Sequence, residues 1–242
     1  MKKLLLILLC LPMIFSYGEN ENDTGNEEKK EVKNDLTREN IKGNVKEIWI
    51  TYFKAKEVFG KTQKGNLSSK VNFQYNEDGN KTEEISYNGD GELSGKKKYQ
   101  YDKDGNNTEM ISYNGDGKVH MKYKYQYDED GNKTETISYK GDREIIYRTN
   151  YQYDKDGNNT EMISYKGDGE LYSKFKHQYD KDGNNTETIS YKGDREIDRK
   201  WKYQYIELDK LKNWIVKTYS GSLAENFYKL KTITEREIEY YE

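Results

Sequence analysis

Apolar and aromatic residues alternate with polar ones along most of the chain beyond residue 40, and that period of two predicts strands. The stretch Val45-Lys46-Glu47-Ile48-Trp49-Ile50-Thr51-Tyr52-Phe53 is rich in β-branched and aromatic residues. A polar loop with Gly60 and Gly65 follows, and a second strand ends in Val71-Asn72-Phe73-Gln74-Tyr75. Residues 41–74 are therefore expected to form an N-terminal capping hairpin.

From Tyr75 the pattern repeats itself. Tyr recurs at 75, 101, 127, 153, 179 and 205, a strict spacing of 26 residues, with a second Tyr twelve residues on at 87, 113, 139, 165 and 191. A third ladder runs Phe73, Tyr99, Tyr125, Tyr151, His177 and Tyr203. Each unit holds a first turn such as Asp102-Lys103-Asp104-Gly105-Asn106, and Asp-Gly is a strong hairpin signal because both residues tolerate positive φ. In the strand after it, Ile111 and Tyr113 share one face while Thr108, Met110 and Ser112 share the other. A second turn, Asn114-Gly115-Asp116-Gly117, leads to a strand with Tyr123, Tyr125 and Tyr127 on one face and Lys122, Lys124 and Gln126 on the other. Residues 75–204 thus read as five 26-residue hairpin units. Units 101 and 153 share Thr-Glu-Met-Ile-Ser-Tyr, and units 127 and 179 share Thr-Glu-Thr-Ile-Ser-Tyr, so a two-unit block has been duplicated.

Spacing favours an antiparallel meander over a β-helix. Stacked at about 4.8 Å, Glu109 would sit against Glu135; two strands apart they lie at roughly 9.6 Å. Tyr113 is then expected to face the Tyr101 and Tyr125 ladders. After Tyr205 the repeat degrades, with Lys212-Asn213-Trp214 where Gly-Asn is expected, and residues 205–242 read as a C-terminal cap. The expected fold class is all-β: an elongated, twisted antiparallel meander of ten repeat strands between two caps, about 14 strands in all, its free edges suited to strand addition.

Composition sharpens this. Only 32% of the chain is hydrophobic and 35% is charged, so the 24 Tyr must supply most of the buryable surface. Lys and Glu are interspersed at a net charge of −3, which offers no basic face to nucleic acid. Lys2, Lys3 and the apolar run Leu4 to Phe15, before Ser16-Tyr17-Gly18, have the form of a cleavable export leader over 1–18, too short to span a bilayer. Leu9 precedes Cys10 where a lipidation motif needs a small residue, so no lipoprotein is expected. Cys10 and Pro12 are unique in the chain and leave with the leader, so no disulfide and no transmembrane segment is expected in the mature protein. Residues 19–40 are polar and aperiodic and read as a disordered spacer.

Candidate chemistry is sparse. Asp102, Asp104 and Asn106, with Asp128, Asp130, Asn132 and Asp154, Asp156, Asn158, resemble half of a calcium loop. Position 1 of that loop would be Gln100 and position 12 Ile111, so turn formation explains them better. His120 and His177, the two histidines, occupy different registers. No Ser-His-Asp or Cys-His set offers a nucleophile, so no enzyme, catalytic residue or cofactor is expected. The ladder Tyr101, Tyr113, Tyr127, Tyr139, Tyr153 and Tyr165 is the candidate partner-binding surface, for glycans through ring stacking or for a protein.

The phrase Tyr-Gln-Tyr-Asp-Lys-Asp-Gly-Asn at 151–158, with its copies, resembles the YD repeat of RHS-type bacterial surface and toxin proteins, over residues 73 to about 205. MORN-type hairpin repeats are a looser likeness, and the leader resembles those of exported Bacteroidota proteins. The resemblance implies an exported, non-enzymatic structural or protein-interaction module at the cell surface or in the periplasm. A carbohydrate-binding module and an RHS-like toxin accessory are the alternatives. The chain departs from RHS proteins in having too few units to enclose a toxin and no Asp-Pro self-cleavage motif.

Overall fold

The computed structural model describes residues 33–59, 61–141, 143–223 and 229–242; the expected leader and residues 19–32 of the spacer lie outside the described residues. A short helix α1 (Asp35–Arg38) precedes β1 (Val45–Val58), β2 (Lys61–Tyr75), β3 (Lys81–Asn88), β4 (Leu93–Tyr101), β5 (Asn107–Asn114), β6 (Val119–Tyr127) and β7 (Lys133–Lys140). There follow β8 (Glu144–Tyr153), β9 (Asn159–Lys166), β10 (Leu171–Tyr179), β11 (Asn185–Lys192), β12 (Glu196–Leu208), β13 (Trp214–Leu223) and β14 (Lys229–Tyr240).

Every strand pairs antiparallel with its sequence neighbours, and β1 also pairs with β14 from Val45↔Tyr240 to Lys54↔Thr232. The sheet is therefore a closed barrel, not the open meander that the repeat predicts. The two ends expected to act as separate caps pair with each other. Closure satisfies the ladder groups of both terminal strands, so the edges expected to accept an added strand do not exist in the described barrel.

Register fixes which face is lumenal. Tyr99 pairs with Met110 and Lys97 with Ser112, while Lys98 pairs with Ile111 and Lys96 with Tyr113. Tyr123 likewise faces Met110, and Tyr125 faces Thr136. The even-numbered repeat strands therefore bring large rings to the inside, and β5, β7, β9 and β11 bring Met110 and Ser112, Thr136 and Ser138, Met162 and Ser164, Thr188 and Ser190. A ring beside a small residue fills the interior without collision, the large–small alternation that small barrels use. Rings on every strand of one face would not fit. Tyr113 and its copies thus lie outside, opposite in facing to Tyr101 and Tyr125, which corrects the expectation that they share a face.

The outer surface is a lattice of opposite charges. Glu83 pairs with Lys98, Glu109 with Lys124, Glu161 with Lys176 and Glu187 with Lys202 across adjacent strands. Ion pairs form there between Lys174 and Glu161 at 3.3 Å, Lys176 and Glu161 at 3.4 Å, and Arg148 and Glu135 at 3.4 Å.

Six turns of one design ring one rim. Asp102 N–H donates to the Asn106 carbonyl and Gly105 N–H to the Asp102 carbonyl, and the same pair of bonds recurs at 128–132, 154–158, 180–184, 76–80 and 209–213. Among the turn residues only the glycine adopts positive φ, +76° at Gly105, so one residue and not two carries the left-handed conformation expected of Asp-Gly. In the sixth turn Lys212 takes that place at φ +70°. The degraded repeat keeps the turn geometry without its glycine.

Residues 33–44 cross this rim, where the end of a disordered spacer (to residue 40) and the start of the capping hairpin (from 41) are expected from sequence. Asn34 Oδ1 accepts Thr37 N–H and Thr37 Oγ1 accepts Asn34 N–H, a reciprocal cap that starts the single turn of α1. Leu36 and Ile41 are buried with Val45, Ile48, Ile50 and Tyr75 in an apolar core. Polar side chains then reach turn after turn. Asn34 Nδ2 donates to the Asp78 carbonyl (2.7 Å), Arg38 Nη2 to Asn106 Oδ1 (2.7 Å), Arg38 Nε to the Gly131 carbonyl (3.3 Å) and Asn40 Nδ2 to the Asp182 carbonyl (2.8 Å). Lys42 and Asn213 exchange two hydrogen bonds of 2.8 Å. The segment is a plug seated on the rim.

Candidate functional site in the barrel lumen

Alternation along the strands points three classes of side chain into the lumen: rings, small hydroxyls and a few charges. The rings are anchored at their far ends. The hydroxyls of Tyr179 and Tyr205 each donate to a main-chain carbonyl twenty residues back, at Asn159 and Asn185, both at 2.9 Å. Tyr101 does the same to Lys81 and also meets the Asp35 carboxylate of the plug. Burial pushes the phenols upward, Tyr153 and Tyr205 to about 12. These tyrosines are neutral wall elements at any physiological pH.

The charges divide by side. Toward β2–β6 every cation has an acid: Lys81 meets Glu39, Lys97 Nζ lies 2.7 Å from Glu84 Oε1, and Arg38 lies 3.9 Å from Asp35. Tyr99 also donates to Glu84 (2.9 Å). Toward β7–β14 the cations are Lys133, Lys217 and Arg236, and among the described residues none of the three has a carboxylate partner. They rest on rings instead. Lys217 Nζ lies 4.1 Å from the centre of Trp214 and 5.8 Å from that of Tyr203. The Arg236 guanidinium lies 3.6 Å from Trp214, and Lys133 Nζ lies 4.3 Å and 5.7 Å from Tyr125 and Tyr151.

The contrast between Lys81 and Lys133 is informative because they hold equivalent positions two repeats apart. Burial lowers Lys81, but Glu39 and Asp35 outweigh it and hold the ammonium above its ordinary value. At Lys133 burial dominates and the pKa falls. Burial first and Arg236 second push Lys217 down to about 8.

A cavity of about 470 Å³ opens on this side, lined by Lys133, Tyr151, Met162, His177, Thr188, Tyr203 and Lys217 among others. That volume falls within the range of small-ligand pockets. His177 Nδ1 meets Thr188 Oγ1 at 3.0 Å and the Asn185 amide nitrogen at 3.3 Å. An amide nitrogen only donates, so this network assigns Nδ1 as acceptor and the proton to Nε2. Burial lowers the His177 pKa and keeps the ring neutral. Nε2 is buried and without a partner, as is Arg236 Nε.

The residues singled out from sequence fall elsewhere. Asp102 Oδ1 accepts the N–H groups of Asp104 and Asn106, and Oδ2 accepts the Asn106 amide. Asp128 and Asp154 do the same with Asp130 and Asn132, and with Asp156 and Asn158. Burial, the largest single effect, raises Asp102, but the Asn106 and Asp104 hydrogen bonds together outweigh it and hold the carboxyl below its ordinary value. At Asp154 the Asn158 amide leads the lowering, followed by the Asn158 backbone. Asn106 and Asn132 turn their carbonyl oxygens to Arg38 and Lys33 of the plug. Among the described residues no cluster of three or more His, Asp or Glu could hold a metal ion. The candidate Tyr ladder splits: Tyr101, Tyr127 and Tyr153 line the lumen, whereas Tyr113, Tyr139 and Tyr165 stand outside. His120 is exposed on β6, far from His177 in register.

The lumenal cations escaped the sequence reading. One signal was there: Lys81 and Lys133 stand where the other copies have Asn107, Asn159 and Asn185, a charge put at an inward position.

No protein-family model matches the chain, and no curated protein matches it. Among solved structures, a porin-like protein from Bacteroides uniformis is similar at 12% identity and a TM-score of 0.46, over 81% of this chain and 96% of that one. The TcdB2-TccC3-Cdc42 structure is similar at 11% identity and a TM-score of 0.31, over 73% of this chain and 11% of that one. The YD-repeat likeness thus has no family match behind it, and any reading of function rests on the barrel's own side chains.

Proposed function

We propose that this is an exported, non-catalytic β-barrel that binds a small molecule in its lumen and does not span a bilayer. The observation that carries the reading is the distribution of charge and rings between the two faces. A membrane barrel presents an apolar band about 25 Å tall, and Lys or Arg at the midplane costs roughly 2–4 kcal/mol each. Here Glu83, Glu109, Glu135, Glu161 and Glu187, with lysines and Arg148 between them, ring the outer face beside Tyr113 and its copies, while Trp201, Phe175, Met110, Met162 and the ladders of Tyr101 and Tyr125 are turned inward. None of the described helices is long and apolar enough to cross a membrane, which bears on helices and not on strands.

A rim closed by a plug and a cavity floored by anchored rings suit retention of a ligand better than passage. This reading replaces strand addition at free edges, which closure removes. It also moves the carbohydrate alternative from a surface ladder to the lumen, where ring stacking remains available.

The test mixes the mature chain with phosphatidylcholine–phosphatidylglycerol vesicles and titrates it with 1-naphthamide, 1-naphthoate, glucose and glucuronate. The expected result is that the protein stays in the aqueous phase, gives no conductance, and binds at least one compound saturably. Thr188→Trp, which fills the cavity, abolishes that binding. Flotation with the vesicles, stepwise conductance, or failure to bind any of the four overturns the reading.

A further inference from the structure

We propose that the β7–β14 side of the lumen is a site for a small organic anion, its acidic group held by Lys217 and Lys133 and its ring laid against Tyr151 and Tyr203. This rests on the lumenal-binding reading and names the class of ligand.

Three donors line this cavity without an ion-pair or hydrogen-bond partner among the described residues. Lys217 and Lys133 line the same cavity, and among the described residues neither ammonium has an ion-pair or hydrogen-bond partner. His177 Nε2 is a buried, unpartnered donor on the same wall, while Arg236, whose Nε is also unpartnered, lies behind the wall against Trp214. Buried polar groups are ordinarily satisfied, so several unmet donors in one cavity ask for an acceptor. The hydroxyls of Tyr179 and Tyr205 spend their protons on the Asn159 and Asn185 carbonyls, and among the described residues no tyrosine oxygen lies within hydrogen-bond distance of either ammonium.

Charge gives the same answer. The β2–β6 side matches Lys81, Lys97 and Arg38 with Glu39, Glu84 and Asp35, so the barrel can pair a lumenal cation where the pair is structural. On the β7–β14 side three cations have no ion-pair partner among the described residues, although Asp35 and Glu39 of the plug act on Lys133 and Glu39 on Arg236 from farther away, and two of the three contact one indole. Like charges held together at a ring, beside an empty volume, are the arrangement that a bound anion completes. The walls select for more than charge. Each ammonium lies at a similar distance from a lumenal ring, 5.7 Å from Tyr151 for Lys133 and 5.8 Å from Tyr203 for Lys217, so a flat ligand can meet ring and charge together.

Calorimetric titration of the full mature chain with 1-naphthoate and with its neutral counterpart 1-naphthamide tests this. The naphthoate is expected to bind at one site at least tenfold more tightly than the amide. Lys217→Met and Lys133→Met should each lose at least tenfold for naphthoate while binding naphthamide as before, and Lys98→Met on the outer face should change neither. Equal affinity for the two compounds overturns the anion assignment but leaves lumenal binding standing, as does full naphthoate affinity in both lysine variants. If neither compound binds while glucose or glucuronate does, the ring-bearing anion is wrong and the lumenal reading holds. If nothing binds, both fall. Should a methionine variant fail to fold, Lys217→Gln and Lys133→Gln take its place, and retention of the full naphthoate preference in both overturns the proposal.

Discussion

Replacing Lys217 by Met should make this protein more stable, although it removes the residue at the centre of the ligand site. The Lys217 ammonium is largely buried beside Arg236, and the two effects lower its pKa from 10.5 to about 8. A lysine with a depressed folded-state pKa opposes folding while it is protonated. At pH 7 the difference between 10.5 and about 8 corresponds to roughly 3 kcal/mol against the folded state. Met loses the cation–π contact with Trp214, worth about 1–2 kcal/mol when desolvated, but keeps the volume and a sulfur–ring contact. The net gain is then about 1–2 kcal/mol, or roughly 2–8 °C in Tm for a chain of this size.

The pH dependence supplies a check on the cause. Between about pH 8 and 10.5 the unfolded chain holds a proton at Lys217 that the folded chain has released, so the wild type gains stability as pH rises through that window and the Met variant does not. By pH 9 the opposing contribution has fallen to roughly 2 kcal/mol, and the advantage of the variant should shrink to about 0–1 kcal/mol. Urea or thermal unfolding of both proteins at pH 7 and pH 9 measures this. A Lys217→Met protein that melts below wild type at pH 7, or an advantage that does not narrow by pH 9, refutes the account of Lys217 as a buried, unpartnered charge.

Other expectations follow from the rim. Lys212→Gly relieves a left-handed conformation that costs a side chain about 1–2 kcal/mol, partly offset by the freedom of glycine in the unfolded chain, and should raise the urea midpoint by a stability of roughly 0.5–1 kcal/mol. Arg38→Ala removes contacts to Asn106, Gly131 and the Tyr127 ring, and should cost about 1–3 kcal/mol and speed amide exchange at the turns around 105 and 131. The turn carboxylates Asp102, Asp128, Asp154, Asp180 and Asp209 all titrate below their ordinary value in the folded state. Their contribution is therefore present above the usual carboxylate pKa and lost as pH falls through the lower folded values; Asp128→Asn should flatten the acid limb of a Tm-against-pH curve, and an unchanged limb would count against the turn network.

The repeat made the strands legible and hid their closure. A period of 26 residues places two strands and two turns in every unit, and fourteen strands are present. The decisive pairing, β1 with β14, joins the two stretches that lack the repeat, so no periodicity announces it. Facing was legible within a strand and not between strands. Met110 and Ser112 do oppose Ile111 and Tyr113, but only the observed register shows that Tyr123 stacks over Met110 and so sends Tyr113 outward. The turn aspartates accept hydrogen bonds within their own turns, whereas the plug was hidden in a polar stretch whose one buried apolar side chain in α1 is Leu36. The lumenal site was hidden by scatter: Lys133 sits beside a turn, and Lys217 and Arg236 belong to the two strands outside the repeat.

Because each unit enters and leaves at the same rim, the number of copies sets the bore of the barrel. One unit contributes two strands, about 9.6 Å of circumference and roughly 3 Å of diameter before tilt is counted. A gene duplication of the kind recorded in residues 101–204 would therefore do more than lengthen the chain: it would change the calibre of the chamber by a fixed step. The plug limits that freedom. With Asn34 on the turn at 76–80, Arg38 on those at 102–106 and 128–132, Asn40 on that at 180–184 and Lys42 on that at 209–213, residues 33–44 span a ring of one size. The stopper acts as a gauge, and a barrel with one unit more or less would have to be re-fitted at its own mouth.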